Sequence, residues 1–306
     1  MRVFVTGASG HIGSAVVPEL LAAGHQVVGL ARSDSSAEAL QAAGAEVQRG
    51  SLDDLAGLGE AAAAADGVIH LAFKHESMRT GDFAGAVASD LQAIQTLGAA
   101  LEGSGKPFVS TSGTLMLMGA GITGRAGTEE DAVGGGPRVD AENYVIALAD
   151  RGVRSSVVRL PPIVHSDLDH HGFVTILIGL ARDSGSAAYV GDGSNRWPSV
   201  HTLDAAHVYR LALENAPAGS RLHAVADEGV PFRDIAEAIG RKLGVPTARI
   251  PAEESTERFA FLGGFVGADN PVSSELTRRL LSWTPTHPGL LDDLAEGHYF
   301  EAALAS

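Results

Sequence analysis

The chain has 306 residues, and its 22 basic and 37 acidic side chains give a formal net charge of −15, which disfavours nucleic acid and anionic membrane surfaces as partners. It contains no cysteine, which excludes disulfides, thiolate chemistry and zinc sites built from cysteine. Hydrophobic residues make up 45% of the chain, no apolar run reaches the roughly 18 residues of a membrane span, and no leader pattern opens the sequence, so we expect a cytoplasmic protein with a full core.

Short apolar runs alternate with helical patterns through the first half of the chain, which is typical of a parallel sheet with helices on both faces. The predicted strands are Val3–Thr6, Gln26–Ala31, Glu46–Arg49, Gly67–Leu71, Pro107–Thr111 and Ser155–Leu160. The predicted helices are Gly13–Ala23, Ala37–Ala43, Leu55–Ala64, Ala84–Glu102 and Arg138–Arg151. We therefore predict an α/β fold in which residues 1–160 form a Rossmann domain, a doubly wound parallel sheet.

From Pro161 onward the pattern becomes irregular, and the stretch up to Gly172, rich in Pro, His and Asp, is predicted to be a loop. Three helices and two strands are predicted beyond it: Phe173–Arg182, Ala187–Val190, Leu203–Glu214, Arg221–Ala226 and Pro231–Leu243. We expect residues 161–306 to form a smaller C-terminal α/β substrate lobe whose chain is partly interleaved with the first domain.

Three glycines follow the first predicted strand and open the first predicted helix. Gly7 permits a tight turn, Gly10 lets the backbone approach a phosphate, and Gly13 lets the helix pack closely on the strand. The exposed amides and the helix dipole then face an anion. The turn is predicted to bind the pyrophosphate of a dinucleotide through Thr6, Gly7, Ser9, Gly10, His11, Ile12 and Gly13.

The spacing Thr6-Gly7-x-x-Gly10-x-x-Gly13 resembles the signature of the extended short-chain dehydrogenases, the NAD-dependent epimerase/dehydratase family. Three later segments resemble the substrate region of that family: Val190–Asp204, Phe232–Gly240 and Trp283–Pro285. The resemblance covers nearly the whole chain. It implies a nicotinamide cofactor, a small-molecule substrate and a homodimer packed through the fourth and fifth predicted helices.

The residues after the second strand bear on which dinucleotide is bound. A NAD enzyme usually places a carboxylate here for the ribose hydroxyls, whereas this chain has Arg32 followed by Ser33. A guanidinium can form a forked pair with a 2′-phosphate, so we predict NADP(H) in preference to NAD(H). Asp34 leaves the NAD alternative open, and Arg32 alternatively is a solvated side chain at a strand end.

Other residues are assigned to the cofactor site by the resemblance. Asp53, beside Leu52 after the third strand, would accept a hydrogen bond from the adenine amino group; alternatively Asp53 or Asp54 caps the next helix. The segment from His70 resembles the cofactor-contacting HxA segment of the family. It implies that Ala72 and Phe73, together with Pro161 after the sixth strand, line the cofactor.

The resemblance also implies a Ser or Thr that holds the substrate oxygen. Ser112, at the end of the fifth predicted strand, matches this role. In the neighbouring register Gly113 occupies the position, and Ser112 or Thr114 must substitute for it. Alternatively Ser112 is an ordinary turn serine.

Enzymes of this family normally add a Tyr and a Lys spaced YxxxK on one helix, so that the Lys lowers the pKa of the Tyr and holds the ribose. Registering the helix by Glu142 and Arg159-Leu-Pro161 places Arg138 at the Lys position and Gly134 at the Tyr position. Tyr144 lies about 80° off the active face at 100° per residue, so we interpret it as a packing or interface residue.

Another group must then supply the proton. Histidine titrates near neutral pH, and His165, His170 and His171 fall in the predicted loop after the sixth strand. We predict that His165 or His171 serves as the donor, with Lys74 and His75 as further candidates. Adjacent histidines rarely converge on one ion, so no metal site is predicted.

The substrate itself is expected to meet four side chains by resemblance: Lys74, Thr114, Arg196 and Trp197. Arg196 would anchor an anion and Trp197 would stack on a ring, although Trp197 alternatively packs in the core. The sequence predicts an NADP-dependent oxidoreductase that acts on a carbonyl or alcohol. The alternatives are an NAD-dependent epimerase or dehydratase, and a cofactor-binding sensor that has lost catalysis.

Overall fold

The computed structural model describes residues 1–75, 77, 81–122 and 124–301. The last five residues of the predicted second lobe, 302–306, lie outside the described residues. None of the helices in the described ranges is long and apolar enough to cross a membrane.

Seven parallel strands form the central sheet: β1 (Arg2–Thr6), β2 (Gln26–Ala31), β3 (Glu46–Arg49), β4 (Gly67–His70), β5 (Pro107–Gly113), β6 (Arg154–Leu160) and β10 (Ser220–His223). Their order across the sheet is β10-β6-β5-β4-β1-β2-β3. The order reverses between β1 and β4, which opens a crevice at the carboxyl ends of these two strands. The predicted α/β doubly wound sheet is confirmed.

Six helices flank this sheet: α1 (Gly13–Ala22), α2 (Asp34–Ala42), α3 (Leu55–Ala64), α4 (Phe83–Leu101), α5 (Val139–Ala147) and α7 (Thr202–Asn215). One face packs against α1, α2 and α7, and the other against α3, α4 and α5. Local chemistry starts three of them, because the side chains of Ser33, Asp54 and Asp82 each accept a hydrogen bond from the backbone amide three residues on.

The second lobe contains two small sheets and its own core. A three-stranded sheet consists of β7 (Ile163–His165), β9 (Arg196–His201) and β11 (Asp227–Pro231), and β8 (Ala187–Val190) pairs with β12 (Thr247–Ile250). Its helices are α6 (Phe173–Ser184), α8 (Phe232–Leu243), α9 (Ser255–Phe259), α11 (Leu290–Glu296) and α12 (His298–Glu301), whereas α10 (Glu275–Leu281) packs through Leu281 on the core of the central sheet. Short 3₁₀ turns occupy Thr114–Ala120, Leu148–Arg151, Ala252–Glu254 and Ala260–Gly264.

The sequence analysis did not predict β9, β11 and β12, and it placed the start of α2 at Ala37 and the end of α5 at Arg151. Two further differences concern strands that pair far along the chain. The predicted loop after β6 contains β7, because Ile163 and Val164 pair with Ser199 and Val200 of β9. The predicted strand Arg221–Ala226 begins and ends earlier, as β10, and joins the central sheet beside β6. Both pairings join strands that are far apart in the chain, so no local sequence pattern predicts them.

A buried ionic network joins α5 to the sheet. Arg159 of β6 is 1% exposed, and its Nη2 donates to Oε1 of Glu142 at 2.5 Å. Arg221 of β10 donates to the same oxygen at 2.8 Å. Burial disfavours the ionised form of Glu142, but hydrogen bonds from Arg159, Ser112 and Arg221 outweigh it and hold the pKa of Glu142 below its ordinary value.

The variant Glu142→Gln should lower the free energy of unfolding by about 3–5 kcal/mol, because it leaves buried guanidinium groups without a countercharge. Urea unfolding measures this change. The exposed pair of Glu275 and Arg279 provides the control, since Glu275→Gln should cost less than about 1 kcal/mol. Equal losses for the two variants would contradict the assignment of stability to the buried network.

Candidate cofactor and active site

The glycine loop between β1 and α1 leaves room for an anion. Gly7 has φ +69°, and a Cβ on Gly13 would lie 2.2 Å from the carbonyl oxygen of Gly7, so the loop and helix touch backbone to backbone. A Cβ on Gly10 would approach only that oxygen, at 3.3 Å. No side chain caps α1, and the amides of His11 and Ile12 donate no hydrogen bond to any residue that the structure describes. These amides fit a pyrophosphate.

A buried polar chain holds this loop in place. Thr6, at the end of β1, has its Oγ1 2.8 Å from Nδ1 of His70, and it also accepts from the amide of Ala72 at 3.3 Å. His70 Nε2 in turn lies 3.2 Å from Oδ1 of Asp90 on α4. Sequence reasoning missed Asp90; its signal is a carboxylate on the buried face of a helix, which requires a partner.

At the ends of β2 and β3 an open hollow of about 440 Å³ has two guanidinium groups on its wall. Arg32 forms no hydrogen bond or ion pair within the described part of the chain. Arg49 pairs with the carboxylate of Asp34 and donates to the carbonyl of Ser33 at 2.7 Å. The hollow is lined by Ala31, Arg32, Asp34, Arg49, Gly50, Ser51 and Asp54. The sequence analysis did not identify Arg49, although its position at a strand end was visible.

Four further residues that the sequence analysis assigned to the cofactor lie in different environments. Leu52 and Pro161 are buried, and Ser9 is exposed. Asp53 accepts from Lys74 Nζ at 2.6 Å, so the carboxylate expected at the adenine and the amine expected at the substrate pair with each other. The helix cap is Asp54 rather than Asp53.

The ring of Phe73 is in contact with a cationic side chain. The guanidinium of Arg138 stacks over its ring at 4.1 Å from the centroid. Arg138 has φ +63°, a left-handed backbone conformation that costs energy in a non-glycine residue. The buried Tyr209 hydroxyl lies 2.8 Å from Oγ1 of Thr111. Burial raises the pKa of Tyr209, and the charge of Arg138 opposes that rise. Arg138 therefore directs its positive charge toward the ends of β4 and β5.

Ser112 lies at the end of β5 with its hydroxyl turned toward α5. The residue is 6% exposed, its Oγ donates to Sδ of Met116 at 3.2 Å, and its hydroxyl helps to lower the pKa of Glu142. The residue at the predicted Tyr position, Gly134, lies in an exposed loop. Tyr144 instead packs beside Gly98 of α4, where its hydroxyl accepts from Arg151 at 2.6 Å.

The two predicted proton donors occupy different environments. His165 ends β7 and is fully buried, with Nδ1 2.8 Å from Oδ2 of Asp293. In this geometry its ring faces the protein interior. His171 is exposed on the loop before α6, and its ring meets that of His170 edge to face at 6.5 Å.

Three predicted substrate residues are held by the chain itself. Thr114 is buried and hydrogen-bonded to the side chain of Asn270 at 3.1 Å. Arg196 forms a two-point pair with Asp269 at 2.8 and 3.0 Å. Trp197 is 0% exposed within the core of the second lobe, so its ring presents no face to solvent.

The model of the NAD dependent epimerase/dehydratase family matches residues 3–225. An uncharacterized protein of Schizosaccharomyces pombe is 46% identical over 98% of this chain and 100% of that protein. The chain therefore belongs to the NAD dependent epimerase/dehydratase family, and the resemblance stated from the glycine spacing is confirmed. Membership assigns it to the enzymes of oxidoreductase, epimerase or dehydratase type that work with a nicotinamide dinucleotide.

Two further matches extend over most of the chain. A sterol-4-alpha-carboxylate 3-dehydrogenase (decarboxylating) of Dictyostelium discoideum is 28% identical over 81% of this chain and 78% of that protein. The crystal structure of a UDP-glucose 4-epimerase from Thermotoga maritima with UDP-glucose superposes with a TM-score of 0.78 at 20% identity, covering 99% of this chain and 100% of that chain. At that identity the structural match supports the shared fold.

The variant Gly13→Ala should destabilise the protein strongly, because its Cβ would meet backbone atoms of Gly7 and Ala8 between 2.2 and 2.6 Å away. Gly179, inside α6, has no atom within 4 Å of the position that a Cβ would take. Gly179→Ala should therefore stabilise the protein by about 0.5–1 kcal/mol through helix propensity. Thermal unfolding of both variants tests the close approach; similar melting temperatures would contradict it.

Proposed function

We propose that the protein is an NADP(H)-dependent oxidoreductase that transfers a hydride between the nicotinamide and a carbonyl or alcohol carbon of a small molecule. The observation that carries the cofactor preference is the pair of guanidinium groups, Arg32 and Arg49, on the wall of the hollow at the ends of β2 and β3. Guanidinium groups bind phosphate through paired hydrogen bonds, and Arg32 has all of its donors available within the described residues.

Asp34 supports this preference rather than opposing it. Its carboxylate is the group that would bind ribose hydroxyls and repel a 2′-phosphate in a NAD enzyme. Here Arg49 neutralises that carboxylate with a direct pair. Local repulsion of a phosphate is thereby reduced, and Arg32 offsets the charge of Asp54, the other carboxylate that lines the hollow.

The chemistry proposed for the other end of the cofactor uses Ser112 at the end of β5, Arg138 directly before α5 and His171 between β7 and α6. The nicotinamide, when bound, supplies or accepts the hydride. When substrate binds, the hydroxyl hydrogen of Ser112 turns from Met116 to the substrate oxygen, and the cation of Arg138 stabilises negative charge that develops there. His171, the exposed one of the two predicted donors, exchanges the proton with the substrate oxygen.

Removing either guanidinium should weaken NADPH binding more than NADH binding. We expect Arg32→Gln to raise the Kd for NADPH by about tenfold or more, the value of a charge-assisted hydrogen bond, and to leave the Kd for NADH within about twofold. Fluorescence titration with both cofactors measures this. Arg241→Gln, an exposed arginine on α8, is the matched control. Wild-type protein that prefers NADH would contradict the NADP(H) assignment.

Turnover should depend on the Ser112 hydroxyl. With NADPH and a panel of ketones, aldehydes and enones, Ser112→Ala should lower kcat by about 10²-fold, as for the loss of one donor to a developing oxyanion. Ser110→Ala, on the same strand, controls for the loss of a buried hydroxyl. Nicotinamide absorbance follows the reaction, and thermal unfolding verifies folding. Tight NADPH binding without turnover of any compound would instead favour the sensor alternative.

A further inference from the structure

His11 connects the glycine loop to the second lobe. Its Nε2 lies 2.9 Å from Oγ1 of Thr202, at the start of α7. The same oxygen donates to the carbonyl of His165 at 3.1 Å and accepts from the hydroxyl of Ser166 at 2.9 Å. Since the single hydroxyl hydrogen of Thr202 is used by that carbonyl, Nε2 of His11 must be the donor in its own contact.

The other ring nitrogen of His11 faces a carboxylate. Nδ1 lies 3.8 Å from Oδ1 of Asp169. A neutral imidazole that carries its hydrogen on Nε2 presents a lone pair at Nδ1, and a carboxylate can only accept. Two acceptors therefore face each other in the neutral state. Protonation at Nδ1 would convert this contact into an ion pair.

Asp169 has an incomplete set of partners. Its side chain is fully buried, and it accepts from two neutral donors, the amide of Gly172 at 2.6 Å and the hydroxyl of Tyr299 at 3.2 Å. Among the described residues, His11 is the only group within 4 Å of this carboxylate that can carry a positive charge. A buried carboxylate without a countercharge is costly, so the site favours a cation at His11.

Other groups keep His11 neutral in the free protein. Burial lowers the pKa of His11, Asp169 opposes that effect, and the nearby rings of His170, His165 and His171 lower the pKa further. The tyrosine that faces Asp169 from α12 adds no charge, because burial and the carboxylates of Asp169 and Asp293 raise the pKa of its phenol. An additional anion beside the ring would shift this balance toward the imidazolium.

We propose that His11 is a positioning residue that takes up a proton when the dinucleotide pyrophosphate binds to the glycine loop, and that the imidazolium then draws Asp169 and its loop toward the cofactor. The proposal rests on the proposed cofactor function. The pyrophosphate adds negative charge on one side of the ring, and Asp169 provides it on the other. The proton comes from solvent, and no covalent bond changes.

The loop that responds is the one that presents the proposed proton donor. Asp169 caps the turn into α6 through Gly172, and His171 lies between them in the chain. Tyr299 holds the start of the same loop by accepting from the amide of Ser166 at 3.0 Å. The position of His171 would thus respond to the charge on His11, because Asp169 faces His11 and accepts a hydrogen bond from Gly172, the residue after His171.

Isothermal titration calorimetry tests the proton uptake directly. NADP⁺ and NAD⁺ are titrated into the full-length protein at pH 7.5, in HEPES and in Tris, whose ionisation enthalpies differ. The expected result is an uptake of up to one proton per site in the wild type that is lost in His11→Gln, which keeps a donor for Thr202. The Kd of the wild type should also rise with pH, by up to about tenfold per pH unit, whereas the Kd of the variant should depend less on pH.

Matched variants separate this result from general effects. Because a 2′-phosphate itself titrates near pH 6, the measured quantity is the difference between the wild type and each variant. Asp169→Asn should lose the uptake as His11→Gln does. His25→Gln should retain it, since His25 forms a similar pair with Glu214 away from the glycine loop. Thermal unfolding confirms that each variant folds.

The two proposals fail in distinguishable ways. Normal binding with the same proton uptake in the wild type and in His11→Gln overturns the role of His11 and leaves the cofactor function intact. Absence of binding of either dinucleotide to the wild type overturns the proposed cofactor function, and the role of His11 with it.

Discussion

The backbone contact between Gly7 and Gly13 is the constraint on which the site depends. It brings the first turn of α1 against the end of β1, at a distance where a Cβ would lie 2.2 Å from a carbonyl oxygen. The positive end of α1 is thereby fixed over the crevice where the strand order reverses. A helix displaced by a side chain at Gly13 would move its unpaired amides away from that crevice, whatever the rest of the sheet did.

Buried polar groups fix the positions of the strands and helices around this contact. The chain from Thr6 through His70 to Asp90 ties β1, β4 and α4 together, and the network of Glu142 with Arg159 ties α5 to β6. Each group in these sets has a partner, which is the condition under which burial of a polar side chain is tolerated. Because such networks hold only in one arrangement, they define where the ends of the strands lie relative to one another.

The sequence was sufficient for elements whose signals are local. The glycine spacing, the alternation of strands and helices, and the family followed from contiguous residues, and the doubly wound sheet agrees with them. The pairings of β7 with β9 and of β10 with β6 were missed, because strand partners far apart in the chain leave no local trace.

The candidate site likewise contains some features with a local sequence signal and others that depend on long-range contacts. Residues of the glycine loop could be identified from their spacing, whereas the contacts of Thr114 with Asn270 and of His165 with Asp293 join positions 156 and 128 residues apart. The sequence position of a serine, threonine or histidine therefore does not by itself determine whether the side chain can bind a ligand. Its availability to a ligand depends on partners that the tertiary fold supplies.

The division between the two ends of the cofactor site has a physical basis. In the proposed function, binding of the dinucleotide depends mainly on backbone amides, a helix terminus and guanidinium groups, which are set by the loops after β1, β2 and β3. The proposed proton transfer depends on a single group, His171, on the loop between β7 and α6. Since different segments of the chain supply these two sets, the predicted Tyr and Lys positions, 134 and 138, lie outside the glycine loop between β1 and α1. The stack of Arg138 on Phe73 brings a permanent cation to that end of the sheet.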